Sequence, residues 1–297
     1  MQGIASARAE EIKRALDQHR AAGGSAYMLT LTLPHDAGDR LKPMRRHVAR
    51  AWRFVQSGAP WKRMKERIGF VGSIRALEVT VGDHGWHPHL HVLLFTTSLL
   101  TPEQRDNFVE FVYRRWRDAI TRTNPDNGHN YRAPDAQHGV SLTESHRDDY
   151  VAKLGLADEL ARLPTKSGRL NGHRTPMQLL SDISDADAND KNDLALWNEY
   201  ASEMHGARQL TWSKGLRSRF AIHGATDHEL SDESEAAAED ALGASIAAAD
   251  WDRFVAHDVT LQLRILDAAS RATSEYETLD VVTRLLDEAK GFDSVPF

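Results

Sequence analysis

The chain has 297 residues, 41% of them hydrophobic and 27% charged, which is enough for one large domain or two ordinary ones with a buried core. It holds no cysteine, so disulfides and thiolate metal sites are excluded and any metal must sit on His, Asp or Glu. The net charge of -6 hides a division: residues 1–220 carry 32 Lys and Arg against 26 Asp and Glu, and residues 221–297 carry 5 against 17. A basic body with a separate acidic appendage is the pattern of a nucleic-acid-binding domain and an extension. The expected division is therefore a domain over 1–220 and an acidic, mainly helical region over 221–297. No run of eighteen apolar residues is present, so no membrane-spanning helix is expected. The first sixteen residues, MQGIASARAEEIKRAL, lack the apolar core of a secretory signal, and a cytoplasmic location is expected.

In chain order, residues 5–21 read as a charged helix and 26–33, AYMLTLTL, as a strand of alternating apolar and Thr residues. After the loop PHDAGDRLKP, residues 43–57 form a basic amphipathic helix. Residues 68–80 and 87–96 read as two strands, and the turn VGDHGW between them makes a hairpin, with Gly82 and Gly85 supplying its special backbone angles. Thr101 is a candidate N-cap with Pro102 at the first helical position, opening a helix to about Arg122. A long loop leads to a short strand at 138–143 and a helix from Glu144 to about Arg162. The stretch 164–193 is loop-rich, 194–204 helical, and RQLTWSKGLRSRF basic. Helical apolar spacing returns at 244–270 and 274–289. Strands mixed with helices and at least one hairpin predict an α+β fold, a central, largely antiparallel sheet with flanking helices. No G-x-x-x-x-G-K-[ST] loop exists, so no nucleoside-triphosphate motor is expected.

The chemistry concentrates in His87-Pro88-His89-Leu90-His91. Side chains alternate faces along a strand, so the three imidazoles share one face while Leu90 and Val92 point to the other. In a regular hairpin closed by the 81–86 turn, Glu78 stands opposite His89, with Cβ atoms about 4.5–5.5 Å apart. Glu78, His89 and His91 then form a ligand set for one divalent ion, with His87 a further candidate; a one-residue slip of register would turn Glu78 away. The second pattern is Tyr150-Val151-Ala152-Lys153, which puts a phenol and an ammonium on one helix face. The cation lowers the phenol pKa from its ordinary value near 10 and favours a nucleophile; a half-buried aromatic beside a solvated lysine fits the local pattern equally. Arg45, Arg46, Arg50 and Arg53 surround Trp52, and Arg114, Arg115 and Arg117 flank Trp116. Such interleaving suits a single-stranded DNA path, with core tryptophans and a solvated arginine face as the alternative.

LTLPH at 31–35, RALEVT at 75–80, GWHPHLHVLLF at 85–95 and YVAK at 150–153 occur in this order. Together they resemble the HUH endonucleases, specifically the rolling-circle replication initiators of plasmids and small phages, over roughly residues 26–220. The resemblance implies Mg2+ or Mn2+ on His89, His91 and Glu78, Tyr150 as the nucleophile and Lys153 as its charged partner. It implies a nick in single-stranded or extruded origin DNA, a 5'-phosphotyrosyl link, and a free 3'-hydroxyl that primes host polymerase behind a host helicase. Some relatives carry a second tyrosine four positions on; here that position is Leu154, which suggests one covalent event per site unless a partner subunit or a water, activated by Glu144 or Asp149, completes termination. A conjugative relaxase, a single-tyrosine transposase, a non-catalytic nucleic-acid-binding module and a His/carboxylate metallohydrolase are the alternatives.

Overall fold

The computed structural model describes residues 2–144, 173–185, 191–205, 207, 210–222, 246, 250–255, 258–271 and 275–292. The expected helix carrying Tyr150 and Lys153 lies outside them. The chain divides into two compact units, Met1–Pro176 with Glu199–Gly224, and Met177–Asn198 with Ala225–Phe297. The boundary is thus not a single cut near residue 220: residues 177–198 group with the acidic tail.

In the first unit, α1 (Gln2–Ala21) leads to β1 (Ser25–Thr32), α2 (Leu41–Val55) and α3 (Gly58–Arg67). The hairpin β2 (Phe70–Gly82) and β3 (Gly85–Thr96) follows, then α4 (Pro102–Ile120) and β4 (Val140–Glu144). Five strands form one antiparallel sheet in the order β4-β1-β3-β2-β5, where β5 is Leu210–Trp212. The α+β expectation holds. The Thr101 N-cap also forms: its Oγ1 accepts from Gln104 N at 3.1 Å and Gln104 Oε1 accepts from Thr101 N at 2.9 Å, so two helix-end donors are satisfied reciprocally. In α3, Pro60 is tolerated because the first turn of a helix needs no N–H.

The hairpin tip is Asp83-His84, with Gly82 paired to Gly85. Gly85 takes the left-handed φ of 82°, as expected of it. Gly82 does not; its lack of a side chain serves another purpose, described below. β3 is the central strand and its two faces differ. Leu93 and Phe95 join Ala26, Met28, Ile74 and Ala76 in a core covered by Ile12 and Leu16 of α1 and by Leu216 of a short helix, α7 (Leu216–Arg219). His87, His89 and His91 continue that same face toward the hairpin tip. Trp86, Leu90, Val92 and Leu94 are buried on the opposite face, on the side of α2 and α4.

The C-terminal part of α6 (Lys191–Met204) locks that side. Glu199 accepts from Arg40 Nε at 2.9 Å, from Leu41 N at the start of α2 at 3.0 Å and from Trp86 Nε1 at 3.2 Å. The second unit contains α5 (Pro176–Asp185), a π-helical turn at Trp251–Val255, α8 (Val259–Arg271) and α9 (Glu275–Phe292). Val255, Leu261, Ile265, Val282, Leu285 and Leu286 form its core, at the i, i+3 and i, i+4 spacings of amphipathic helices.

Candidate metal centre

The register places Glu78 opposite His89, as the turn length predicts, and Ala76 opposite His91. His91 Nε2 lies 2.8 Å from Glu78 Oε2, and His89 Nδ1 lies 3.8 Å from the same oxygen. One donor atom from each of Glu78, His89 and His91 falls within 4.8 Å of the others, the spacing of groups that share one ion. The fit to a cation also rests on burial. His91 is 6% exposed, and His89 Nε2 is buried with no hydrogen-bond partner. A buried imidazole nitrogen without a partner costs about 1–3 kcal/mol unless something occupies its lone pair. The donor set of two imidazoles and one carboxylate suits a divalent first-row ion and leaves coordination positions open.

The neighbouring strand adds a residue that sequence reasoning missed. Thr30 on β1 is the register partner of His91, and its Oγ1 lies 3.3 Å from His91 Nδ1. A hydroxyl can take either role, so it stabilises whichever tautomer leaves Nε2 free for a ligand bond. No local signal marks Thr30, because its importance comes from a pairing between segments sixty residues apart.

His87 shares the face but stands outside the triad. Its Nδ1 is in direct contact with His35 Nε2, its ring lies 4.2 Å from that of His89 and it stacks on that of His173 at 5.1 Å. Burial first, then the nearby imidazoles of His89, His35 and His173, push its pKa down to about 3. Burial likewise lowers His35. A cleft of about 750 Å3 opens beside the triad, lined among others by His35, His87, His89, Arg132, His138 and His173. Arg132 and His138 come from the long loop before β4, whose contribution the sequence did not announce. Glu144, weighed as a water-activating base, pairs with Arg105 at 2.9 Å and stands opposite Tyr27.

The expected DNA-binding set is largely redirected. Trp52 is 1% exposed and packs edge-on against Trp61, so it offers no face to a base. Trp116 is fully buried and donates to Thr32 O at 2.8 Å. Arg115 donates to the carbonyls of Phe54, Val55 and Ser57 and lies over the Phe54 and Phe111 rings, closing the end of α2. Arg50 is bound to Asn124 and Asp126. Arg45 is half-buried, whereas Arg46, 4.0 Å from Asp126, and Arg114, paired with Glu110, remain exposed. These residues lie on α2 and α4, on the opposite side of the sheet from the imidazoles. The amphipathic pattern of α2 is that of a helix anchoring a core through Trp52, with its arginines tying down loops.

No helix among the described residues is long and apolar enough to cross a membrane. Residues 4–259 match the family described as Replication protein, Rep_1. The chain is 28% identical over 305 residues to a protein named Protein rep from Streptomyces lividans, an alignment covering 81% of this chain. It is 32% identical over 137 residues to a protein named Neomycin resistance protein from Streptomyces cyanogenus, covering 38% of this chain. It spans 65% of the length of the first relative and 31% of the second. No solved structure matches. With a family match over nearly its whole length, and a buried His/carboxylate triad on an antiparallel α+β sheet, this chain belongs to the Rep_1 replication protein family.

Proposed function

We propose that this protein is a rolling-circle replication initiator that nicks one DNA strand at an origin and joins the strand to Tyr150. The convergence of Glu78, His89 and His91 across the β2–β3 hairpin carries this reading. The family match supports replication over the same chemistry in a conjugative relaxase or single-tyrosine transposase.

A divalent ion on the triad, magnesium or manganese, withdraws charge from the scissile phosphate and offsets the charge that builds in the transition state. The nitrogen-rich donor set holds manganese more tightly than magnesium, which prefers an all-oxygen shell. Thr30 fixes the His91 ring, and Glu78 contributes the negative charge that raises affinity for the cation. The cleft bordered by His35, Arg132 and His138 accepts the phosphates flanking the scissile bond, while Arg46 and Arg114 give non-specific contacts farther away. The Tyr150 phenol loses its proton and its Oη attacks phosphorus. The bond between phosphorus and the 3'-oxygen breaks, and that oxygen leaves with the electron pair and takes up a proton. The products are a 5'-phosphotyrosyl link and a free 3'-hydroxyl for a host polymerase, with the duplex opened by a host helicase. Lys153, one helical turn from Tyr150 in the expected helix, lowers the phenol pKa and balances the phosphotyrosine.

The test is incubation of the full chain with end-labelled single-stranded oligonucleotides tiled across a cognate origin, with Mn2+, followed by a denaturing gel. A covalent adduct in the wild type that disappears in Tyr150→Phe, and in Glu78→Gln, is expected. DNA binding without adduct in the wild type would instead identify a non-catalytic binding module. Cleavage retained by Tyr150→Phe would point to a hydrolytic metal enzyme.

A further inference from the structure

Beyond the triad, three more imidazoles meet from three separate segments. His35 follows β1, His87 begins β3, and His173 is held beside the end of β2 by paired backbone bonds, Val81 N to Arg174 O at 2.9 Å and Arg174 N to Val81 O at 2.7 Å. Gly82 leaves the space for this: a Cβ there would fall 2.6 Å from His173 Nδ1. That nitrogen is buried with no hydrogen-bond partner.

The protonation of His35 follows from its neighbours. Its Nδ1 lies 3.0 Å from the carbonyl oxygen of His84, which can only accept, so Nδ1 carries the hydrogen. In the neutral ring Nε2 is then a lone pair, and it faces His87 Nδ1 in direct contact. Two ring nitrogens meeting this way share either a proton or a cation. A shared proton satisfies two of the imidazoles and leaves the third, His173, with a buried orphan nitrogen in a place made for its ring. A cation draws on all three, and imidazole is a favoured ligand of zinc, nickel and copper.

We propose that His35 Nε2 and His87 Nδ1 hold a second divalent ion, of the imidazole-preferring class, beside the Glu78/His89/His91 centre, with His173 closing the site over the His87 ring. The His87 and His89 rings are 4.2 Å apart, so the two ions are neighbours. Their mutual repulsion makes the second the weaker. Its ligands contain no carboxylate, so magnesium fills the triad and leaves the second site empty, whereas cobalt or zinc fills both.

The experiment is equilibrium dialysis of the full chain against Co2+, with the bound metal counted and the visible cobalt spectrum recorded. His35→Asn keeps an amide donor for the His84 carbonyl and deletes the Nε2 ligand; far-UV circular dichroism checks its fold. The wild type is expected to bind two ions, His35→Asn one, and Glu78→Gln one. A single ion in the wild type, or two retained by folded His35→Asn, overturns the second site. Two ions retained by Glu78→Gln alongside one in His35→Asn would leave the second site standing and remove the triad from the proposed nicking reaction. Should His35→Asn not fold, His87→Gln takes its place with the same expected count of one, and a count of two overturns the site.

Discussion

Thr30 offers the most direct test of the metal centre, because it touches no substrate. Thr30→Val replaces the hydroxyl with a methyl and keeps the β-branched shape that β1 favours. With an ion on His91 Nε2, the ring hydrogen sits on Nδ1 and donates to Thr30 Oγ1, 3.3 Å away. The variant strands that N–H at a ring only 6% exposed. Leaving such a donor unpaired costs about 1–3 kcal/mol, and losing the outer partner of a ligating histidine typically weakens metal binding about 10–100-fold. The distance is at the long end for an N–H···O bond, so the smaller figure applies: about tenfold in Kd for Mn2+, or about 1.4 kcal/mol. Isothermal titration with Mn2+ measures it, alongside denaturant unfolding of the metal-free protein, where about 1 kcal/mol or less is expected. Thr30→Ser is expected to restore most of the affinity. A folded Thr30→Val with Mn2+ affinity within twofold of wild type would refute the claim that β1 supports His91.

Three further outcomes follow from the packing around the hairpin. Glu199→Ala removes the acceptor shared by Arg40, Leu41 N and Trp86 Nε1. A loss of about 2–4 kcal/mol in unfolding free energy is expected, and a loss below about 0.5 kcal/mol in denaturant titration would show those bonds to be replaceable by water. Gly85→Ala forces a side chain into φ 82° and puts its Cβ 3.1 Å from Ala37 O. It should destabilise by about 1–2 kcal/mol from backbone strain alone, readable as a lower Tm and as weaker Mn2+ binding through the distorted hairpin. Burial lowers the pKa of His19 and of His47, each held by a backbone carbonyl (Thr96 O and Ile120 O) at 2.9 Å. Both rings are therefore neutral in the fold, while the unfolded chain takes up protons near 6.5. Stability is complete above that pH and declines as pH falls below it. Urea midpoints between pH 8 and pH 5 should decrease, with a shallower slope in His47→Gln; equal slopes would exclude His47 as a contributor.

Much of the site was written in the sequence because its logic is local. Period-two alternation puts positions 87, 89 and 91 on one face whatever the rest of the fold does, and a short turn sets the 78/89 pairing before any tertiary contact is known. The N-cap at Thr101 was legible for the same reason, since a capping box spans only four residues. The arginines and tryptophans of α2 and α4 were ambiguous, because a helix that stacks DNA bases and one that anchors a core have the same amphipathic period. Only burial decides between them, and Trp52 and Trp116 are inside. Helix α3 gave little signal, opening on Gly-Ala-Pro and stabilised by contacts of Trp61 with Trp52, Phe70, Phe108 and Phe111 from other elements.

What the sequence alone determined is the ligand set, its shared face and the class of ion it suits, since these depend on side-chain chemistry and strand geometry within one hairpin. Tertiary structure decided the rest of the centre. Thr30 supports His91 because β1, distant in sequence, pairs with β3, and His35 and His173 reach His87 because two loops fold back to it. Long-range pairing depends on the whole buried surface of the sheet, a quantity that no short stretch of sequence contains.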